Sequence, residues 1–412
     1  MAALALASCS SNSDLATDVT PSNNEAAQTP VTFGTYVGKS ASTRAAATGD
    51  QTTTSLQESG FGVIAYYTGS TAWAGSSNTT TPNFFYNTKV SGADWTYNPV
   101  RYWPNDETNN KVSFFAYAPY TDVVASTGKV SDATTGITAL TTNAATGEPK
   151  VTYVLGAENA ASVDLLYGTT SEGKFNTDLT KQKTSEKVTF LFKHALAKFG
   201  GTGSAITVKA NPDDASATNI GKQTFITVKE IKIEGVGGTS GTTYQSGTLN
   251  LATGKWEFAA DGSDKAKDNV VYYDLKYDGT GAAALSSDIA EPASFSKDNT
   301  PEYVTTAAKD ALSSNGASSY IIPAGGDQTL KVTVDYVVRT IDANLAKGYT
   351  EVEQTLKKEV SFTGGFASNK AYKLNIILGL NSVKFTATAF DWTTTSTNDA
   401  VSQDVELPVI YE

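Results

Sequence analysis

The chain carries a single histidine, His194, and a single cysteine, Cys9, and any catalytic or metal chemistry would have to begin with them. A Ser-His-Asp or Cys-His device needs the imidazole as its base, with a partner in hydrogen-bond reach. His194 instead stands in the run FKHALAKF, among Phe192, Leu196 and Phe199, which reads as a packed strand. A structural histidine, and no catalytic residue, is therefore expected. Zinc would need three or four N, S or O ligands, and one His with one Cys leaves only carboxylates, so neither a metal nor another cofactor is expected. The acidic pairs Asp213-Asp214 and Glu351/Glu353 could serve glycoside hydrolysis only at particular separations. Both lie in or beside polar segments, where solvated charge is the plainer reading. Gly237-Gly238 and Gly364-Gly365 do not open helices, so phosphate cradling has no support. A non-enzyme is expected.

Cys9 has a different kind of chemistry. Leu6-Ala7-Ser8-Cys9 has the form of a lipobox, in which small residues precede a Cys that is acylated, for instance with palmitate, once the signal peptide is cut away. The alternative is an incidental Cys in a polar N-terminus. A polar tether, Ser10 to Gln28, follows it. A signal peptide has a basic n-region, yet Met1 to Ser8 holds no Lys or Arg, so translation is expected to start upstream of Met1. No stretch approaches the roughly 20 apolar residues that span a bilayer as a helix. Membrane association would rest on the lipid at Cys9.

Composition sets the class of elements that surround these residues. Thr, Ser, Gly and Val abound, Tyr numbers 20 and only 18% of residues are charged, a composition suited to pleated, half-buried surfaces. A net charge of -11 opposes nucleic-acid binding, which needs a clustered basic surface. At 412 residues the chain exceeds what one core serves, so two domains of roughly 150–200 residues are the default.

Short apolar runs recur between turn residues: GFGVIAYY at 60–67, KVSFFAYAPY at 111–120, KVTFLFKHALAKF at 187–199, TFITVKEIKIEGV at 224–236, TLKVTVDYVV at 329–338, LKKEVSFTG at 356–364 and AYKLNIILGLNSVKFTATAFDW at 371–392. In several, apolar and polar residues alternate, as where Ile231 and Ile233 oppose Lys232 and Glu234. Such strands imply antiparallel sandwiches. A first strand, Val31 to Val37, places Val31, Phe33 and Val37 on one face, with Thr35 in the same row and Tyr36 opposite. One short helix is expected at Ala307 to Leu312.

Several of these segments together resemble the fimbrillin family, the shaft and accessory subunits of type V pili and related outer-membrane lipoproteins of Gram-negative bacteria. The resemblance lies in TRA at 43–45, GFGVIAYY, RYWPN at 101–105, FFAYAPY at 114–120, VDLLYG at 163–168, FKHALAKF, GTLNLATGKWEF at 247–258, YIIPAG at 320–325 and the closing AYKLNIILGLNSVKFTATAFDW. It implies an all-β chain of two tandem transthyretin-like antiparallel sandwiches, exported as a lipoprotein to the cell surface and built into a fimbria that serves adhesion. The expected division is a signal remnant and tether at 1–29, a strand and cleavable segment at 30–44, sandwiches at 45–210 and 211–398, and a donor strand at 399–412.

The resemblance also implies removal of an N-terminal segment after Arg or Lys, and assembly by donor-strand exchange. Arg44 alone of the three arginines lies in a soft Ala/Thr/Ser loop, so cleavage is expected there. Val31, Phe33 and Val37 would then belong to a displaced strand. Val405, Leu407, Val409 and Tyr411, which alternate beyond a polar stretch, would be the donor. The expected partners are copies of the chain or related pilin subunits, a host or bacterial surface receptor, and a membrane reached only through lipid. A rival reading is a glycan-binding surface lipoprotein using Tyr66, Tyr67, Trp73, Trp95, Tyr97, Tyr102 and Trp103. The plainer account of those rings is that they fill a core.

Overall fold

The structure is a computed structural model that describes residues 28–37, 51–105, 108–156, 162–181, 186–199, 206–210, 224–236, 242–266, 270–276, 309–311, 319–379, 382–391 and 407–410. In chain order the strands are β1 (Phe33–Val37), β2 (Phe61–Gly69), β3 (Phe85–Val90), β4 (Lys111–Ala118), β5 (Gly136–Leu140), β6 (Lys150–Val154), β7 (Leu166–Thr169), β8 (Asn176–Leu179) and β9 (Val188–His194). The second half holds β10 (Ala197–Phe199), β11 (Ile206–Ala210), β12 (Thr224–Gly235), β13 (Ser246–Asn250), β14 (Lys255–Glu257), β15 (Val271–Lys276) and β16 (Lys309–Ala311). It closes with β17 (Ser319–Ile321), β18 (Gln328–Ile341), β19 (Tyr349–Phe362), β20 (Lys370–Leu378), β21 (Ser382–Asp391) and β22 (Leu407–Ile410). Among the described residues one α-helix, α1 (Thr53–Ser59), stands between the first two strands and is capped at Thr52, whose Oγ1 accepts from the Ser55 N–H. The fold is all-β and sandwich-like, as expected.

Four sheets organise the described residues. The first runs β1-β9-β7-β4-β2-β3 with β8 beside β4; the second runs β16-β11-β20-β10-β17 with β21 and β22 beyond β20. The others are β15-β12-β18-β19 and β14-β13-β6-β5. Pairing is antiparallel except at β1–β9, β10–β20 and β11–β20. Chain passes from the first sheet to the second at Ala195-Leu196, so the run at 187–199 is two strands joined by a bend. There the Ala195 carbonyl accepts from Trp256 Nε1 and Ser368 Oγ, both at 2.9 Å. The fourth sheet joins the halves, since β6 pairs with β13. Of the expected domain limits, 44/45 and 398/399 lie outside the described residues, and 210/211 falls where β11 ends.

The first sheet is apolar on both faces, which is why its central strands read as continuous runs rather than alternating ones. Along β2 and β4, Ile64, Tyr66, Phe115 and Tyr117 enter a core that extends into the second half of the chain. Phe61, Val63, Ala65, Phe114 and Ala116 enter a separate core with Val31, Phe33, Leu56, Phe85, Trp95, Trp103, Phe190 and Phe192.

One expectation is corrected. Ala307 to Leu312 was expected to be helical, but its described residues, Lys309–Ala311, form β16, antiparallel to β11. Helix propensity amounts to tenths of a kcal/mol per residue, and the unpaired edge of β11 outweighs it.

Candidate functional site

The second of those cores is completed by the N-terminal segment. Upstream of β1, the Val31 N–H donates to the Arg101 carbonyl at 2.8 Å and the Trp103 N–H donates to the Thr29 carbonyl at 2.9 Å, with Pro30 opposite Tyr102. Tyr97 clasps both segments: its hydroxyl donates to the Val31 carbonyl at 2.8 Å and accepts from the Arg101 N–H at 3.2 Å. Burial pushes the Tyr97 hydroxyl above its ordinary pKa, which bonding to the Arg101 backbone only partly opposes, so it remains a protonated donor.

Downstream, β1 runs parallel to β9, with Phe33 opposite Val188 and Val37 opposite Phe192. The Thr35 hydroxyl donates to the Phe190 carbonyl at 2.8 Å, and the Val37 N–H donates to Thr53 Oγ1 at 3.2 Å. β1 is the edge strand of its sheet.

Phe33 is the anchor. Its ring stacks on Phe190 at 6.2 Å between centroids and meets Phe61, Phe85, Phe114 and Tyr97 edge-on at 5.4–6.3 Å. Phe85 is on β3, at the far end of the sheet order from β1. The sheet therefore curls until side chains of its two edge strands touch around one ring. Phe190 can lie beneath Phe33 because β7 carries Gly168, where a Cβ would stand 2.7 Å from the Phe190 ring. Val31 and Phe33 are each 1% exposed, and burying the pair contributes about 3–6 kcal/mol.

The other sequence-selected residues fall elsewhere. Cys9, Arg44, Val405, Tyr411 and Asp213-Asp214 lie outside the described residues. Leu407 and Val409 are in β22, whose backbone pairs with β21 at Phe385 and Val383. Glu351 is paired with Arg339 at 2.5 Å and Lys347 at 3.8 Å, and Glu353 is exposed. Of the seven aromatic residues, Tyr66, Trp95 and Trp103 are buried, and Trp73, Tyr67 and Tyr97 are partly buried against the two cores. Tyr102 is exposed.

His194 has a partner that sequence reasoning missed. Its Nδ1 lies 2.8 Å from Asp164 Oδ2, with both side chains buried. The same carboxylate oxygen accepts from the Gln51 N–H at 2.9 Å. The signal was a carboxylate inside the apolar run Val163-Asp164-Leu165-Leu166. Burial, and next the Asp164 charge, push the adjacent Tyr153 hydroxyl up, so it stays a donor to the Val163 carbonyl. This enclosed pair ties Gln51, just ahead of α1, to the end of β9. Removing one member takes a hydrogen-bond partner from a buried polar group, at a cost of about 1–3 kcal/mol. His194→Ala and Asp164→Ala are therefore each expected to lower the thermal midpoint, and the double variant should lose clearly less than the sum. Additive losses in calorimetry would show that the two are not coupled.

Comparison with known proteins agrees with this architecture. The chain is 27% identical over 414 residues to the Fimbrium subunit Fim1C of Phocaeicola vulgatus, covering 97% of this chain and 96% of that protein. Its fold is similar to the crystal structure of a fimbrial protein from Bacteroides vulgatus, with a TM-score of 0.63 at 23% identity, over 89% of this chain and 100% of that one. Residues 43–392 match the fimbrillin-like family along both sandwich-like halves, and the chain belongs to that family.

Proposed function

We propose that this chain is a structural subunit of a bacterial surface fimbria that is exported as a lipoprotein, activated by proteolysis near Arg44, polymerised by donor-strand exchange, and serves adhesion rather than catalysis. The observation that carries the proposal is the seat of residues 29–37. They are integral to an aromatic core, yet form its sheet edge, and Arg44 stands in the segment that connects them to the rest of the chain. While that segment is intact, the strand competes for its seat at an effective concentration in the millimolar range. Once it is cut, the strand becomes a separate peptide at the concentration of the protein, and at about 1 μM the seat is roughly a thousandfold easier to vacate. An empty seat exposes aromatic side chains and unpaired main-chain groups, which suit β-augmentation by another subunit's strand.

The tail supports the donor role because, among the described residues, β22 pairs on one side only, along four residues of β21. Treating the purified full chain with trypsin, mapping the cut by mass spectrometry and imaging by negative stain tests the reading. The precursor should be monomeric, and the form cut near Arg44 should give filaments. A cut form that sheds the strand but stays monomeric at high concentration would overturn it.

Attachment to the outer membrane is proposed to rest on acyl chains at Cys9, each buried CH₂ contributing about 0.8 kcal/mol. Cys9→Ser should leave the outer-membrane fraction and appear in the soluble fraction. Unchanged retention would refute acylation as the anchor.

A further inference from the structure

The seat of the N-terminal strand also covers a bond. The chain has three arginines. Arg339 is 7% exposed, bound to Glu351, and within the 14-residue ladder between β18 and β19. Arg101, by contrast, is exposed, and its neighbours Val100 and Tyr102 are 51% and 45% exposed. By side-chain exposure alone, the Arg101–Tyr102 bond is open to an arginine-directed endoprotease.

Its main chain is not. The Arg101 carbonyl accepts from Val31, the Arg101 N–H is held by the Tyr97 hydroxyl, and the Trp103 N–H donates to Thr29. An endoprotease takes its substrate as an added strand, through main-chain hydrogen bonds on either side of the scissile bond. Those groups are already engaged by residues 29–31 and by Tyr97.

We propose that the Arg101–Tyr102 peptide bond is a second, latent site of arginine-specific proteolysis, masked by residues 29–31 and opened when they leave. The step is hydrolysis: water adds across the amide, Arg101 keeps the carboxylate and Tyr102 becomes a new amino terminus. The proposal rests on the reading that the N-terminal strand vacates its seat after cleavage near Arg44. A seat refilled along the same edge keeps the bond covered. A seat left empty is cut in the segment that lines it, between Tyr97 and Trp103, and loses the register that would receive a strand. The protease class that licenses assembly thereby removes subunits that fail to assemble.

The test is a time course of the full chain with an arginine-specific endoprotease, read by mass spectrometry. At a dilution that keeps the cut chain from assembling, the wild type should be cut at Arg44 first and at Arg101 afterwards. With Arg44→Ala the strand stays seated, and cutting at Arg101 should be at least about tenfold slower, since cleavage of a covered site follows the open population. Adding Phe33→Asp to Arg44→Ala should restore cutting at Arg101 while the Arg339 bond stays intact. Cutting at Arg101 in Arg44→Ala as fast as in a wild type that has shed its strand would overturn the proposal, as would an uncut Arg101 in the double variant. If Arg339 is also cut there, the chain has unfolded globally, and Tyr97→Phe with Arg44→Ala decides: a several-fold faster Arg101 cut supports masking, and an unchanged rate overturns it. Restoration by Phe33→Asp, together with a wild type that is cut at Arg44 but keeps its strand and its Arg101 bond, would sink the release reading and leave the masking intact.

Discussion

Phe33→Asp is expected to eject the N-terminal strand while the second half of the chain stays folded. The ring touches five other aromatic rings and is 1% exposed. Losing such a ring costs about 3–5 kcal/mol, and burying an unpaired carboxylate in its place costs several more. The sum exceeds the roughly 3–6 kcal/mol that Val31 and Phe33 contribute by burial, so undocking is cheaper than retention. Amide hydrogen exchange reads the outcome. The Val188 N–H, bonded to the Thr32 carbonyl at 2.8 Å, should lose protection together with the Trp103 amide. The β18–β19 ladder should keep its protection, because it shares no side chain with the core around Phe33. Undiminished protection at Val188, or loss throughout the chain, would show that the strand is not a separable part of the fold.

Much of the architecture could be read from residue spacing, and the failures have identifiable physical causes. Alternation in EIKIEG at 230–235 correctly placed Ile231 and Ile233 in the core, with Lys232 and Glu234 on the other side. Glu234 is nonetheless mostly buried, because Lys232 at 2.9 Å and Lys331 at 3.3 Å enclose its carboxylate; cross-strand neighbours are not visible in one strand's pattern. Lys309–Ala311 became a strand through pairing with a segment about a hundred residues earlier, and no local propensity carries that information. The bend at Ala195-Leu196 was hidden because both flanking strands are apolar, although they belong to different sheets.

The seat itself was half legible. Period two placed Val31 and Phe33 inward, and both are buried. The segment that holds them from the other side, Tyr97 to Trp103, looked like a cluster of aromatic rings without an assigned partner. Its meaning depends on two main-chain hydrogen bonds to Thr29 and Val31, and side-chain identity does not encode these. The Asp164–His194 pair failed in the same way: the histidine was placed in a packed strand, but its partner lies on another segment, 30 residues away in sequence.

Deleting residues 399–412 is expected to abolish self-polymerisation of the cleaved chain while leaving its seat able to accept a strand. In the structure, Leu407–Ile410 pair with Phe385 to Ser382 of the same chain, at the outer edge of the second sheet. The part of the tail that the structure describes, Leu407–Ile410, pairs with β21 in the second sheet rather than with the sheet that holds β1, so its loss should cost little stability. Replacing Leu407 and Val409 by Asp should act like the deletion, since seating them in the groove would bury two unpaired charges at several kcal/mol each. Tail-deleted subunits accept but do not donate, so a mixture with wild type should give shorter filaments as their fraction rises. Size-exclusion chromatography and negative-stain microscopy of both proteins, after cleavage near Arg44, decide the matter. Filaments of equal length and number from wild type and tail-deleted protein would exclude residues 399–412 as the donor, and the strand that fills the seat would have to come from elsewhere in the neighbouring subunit.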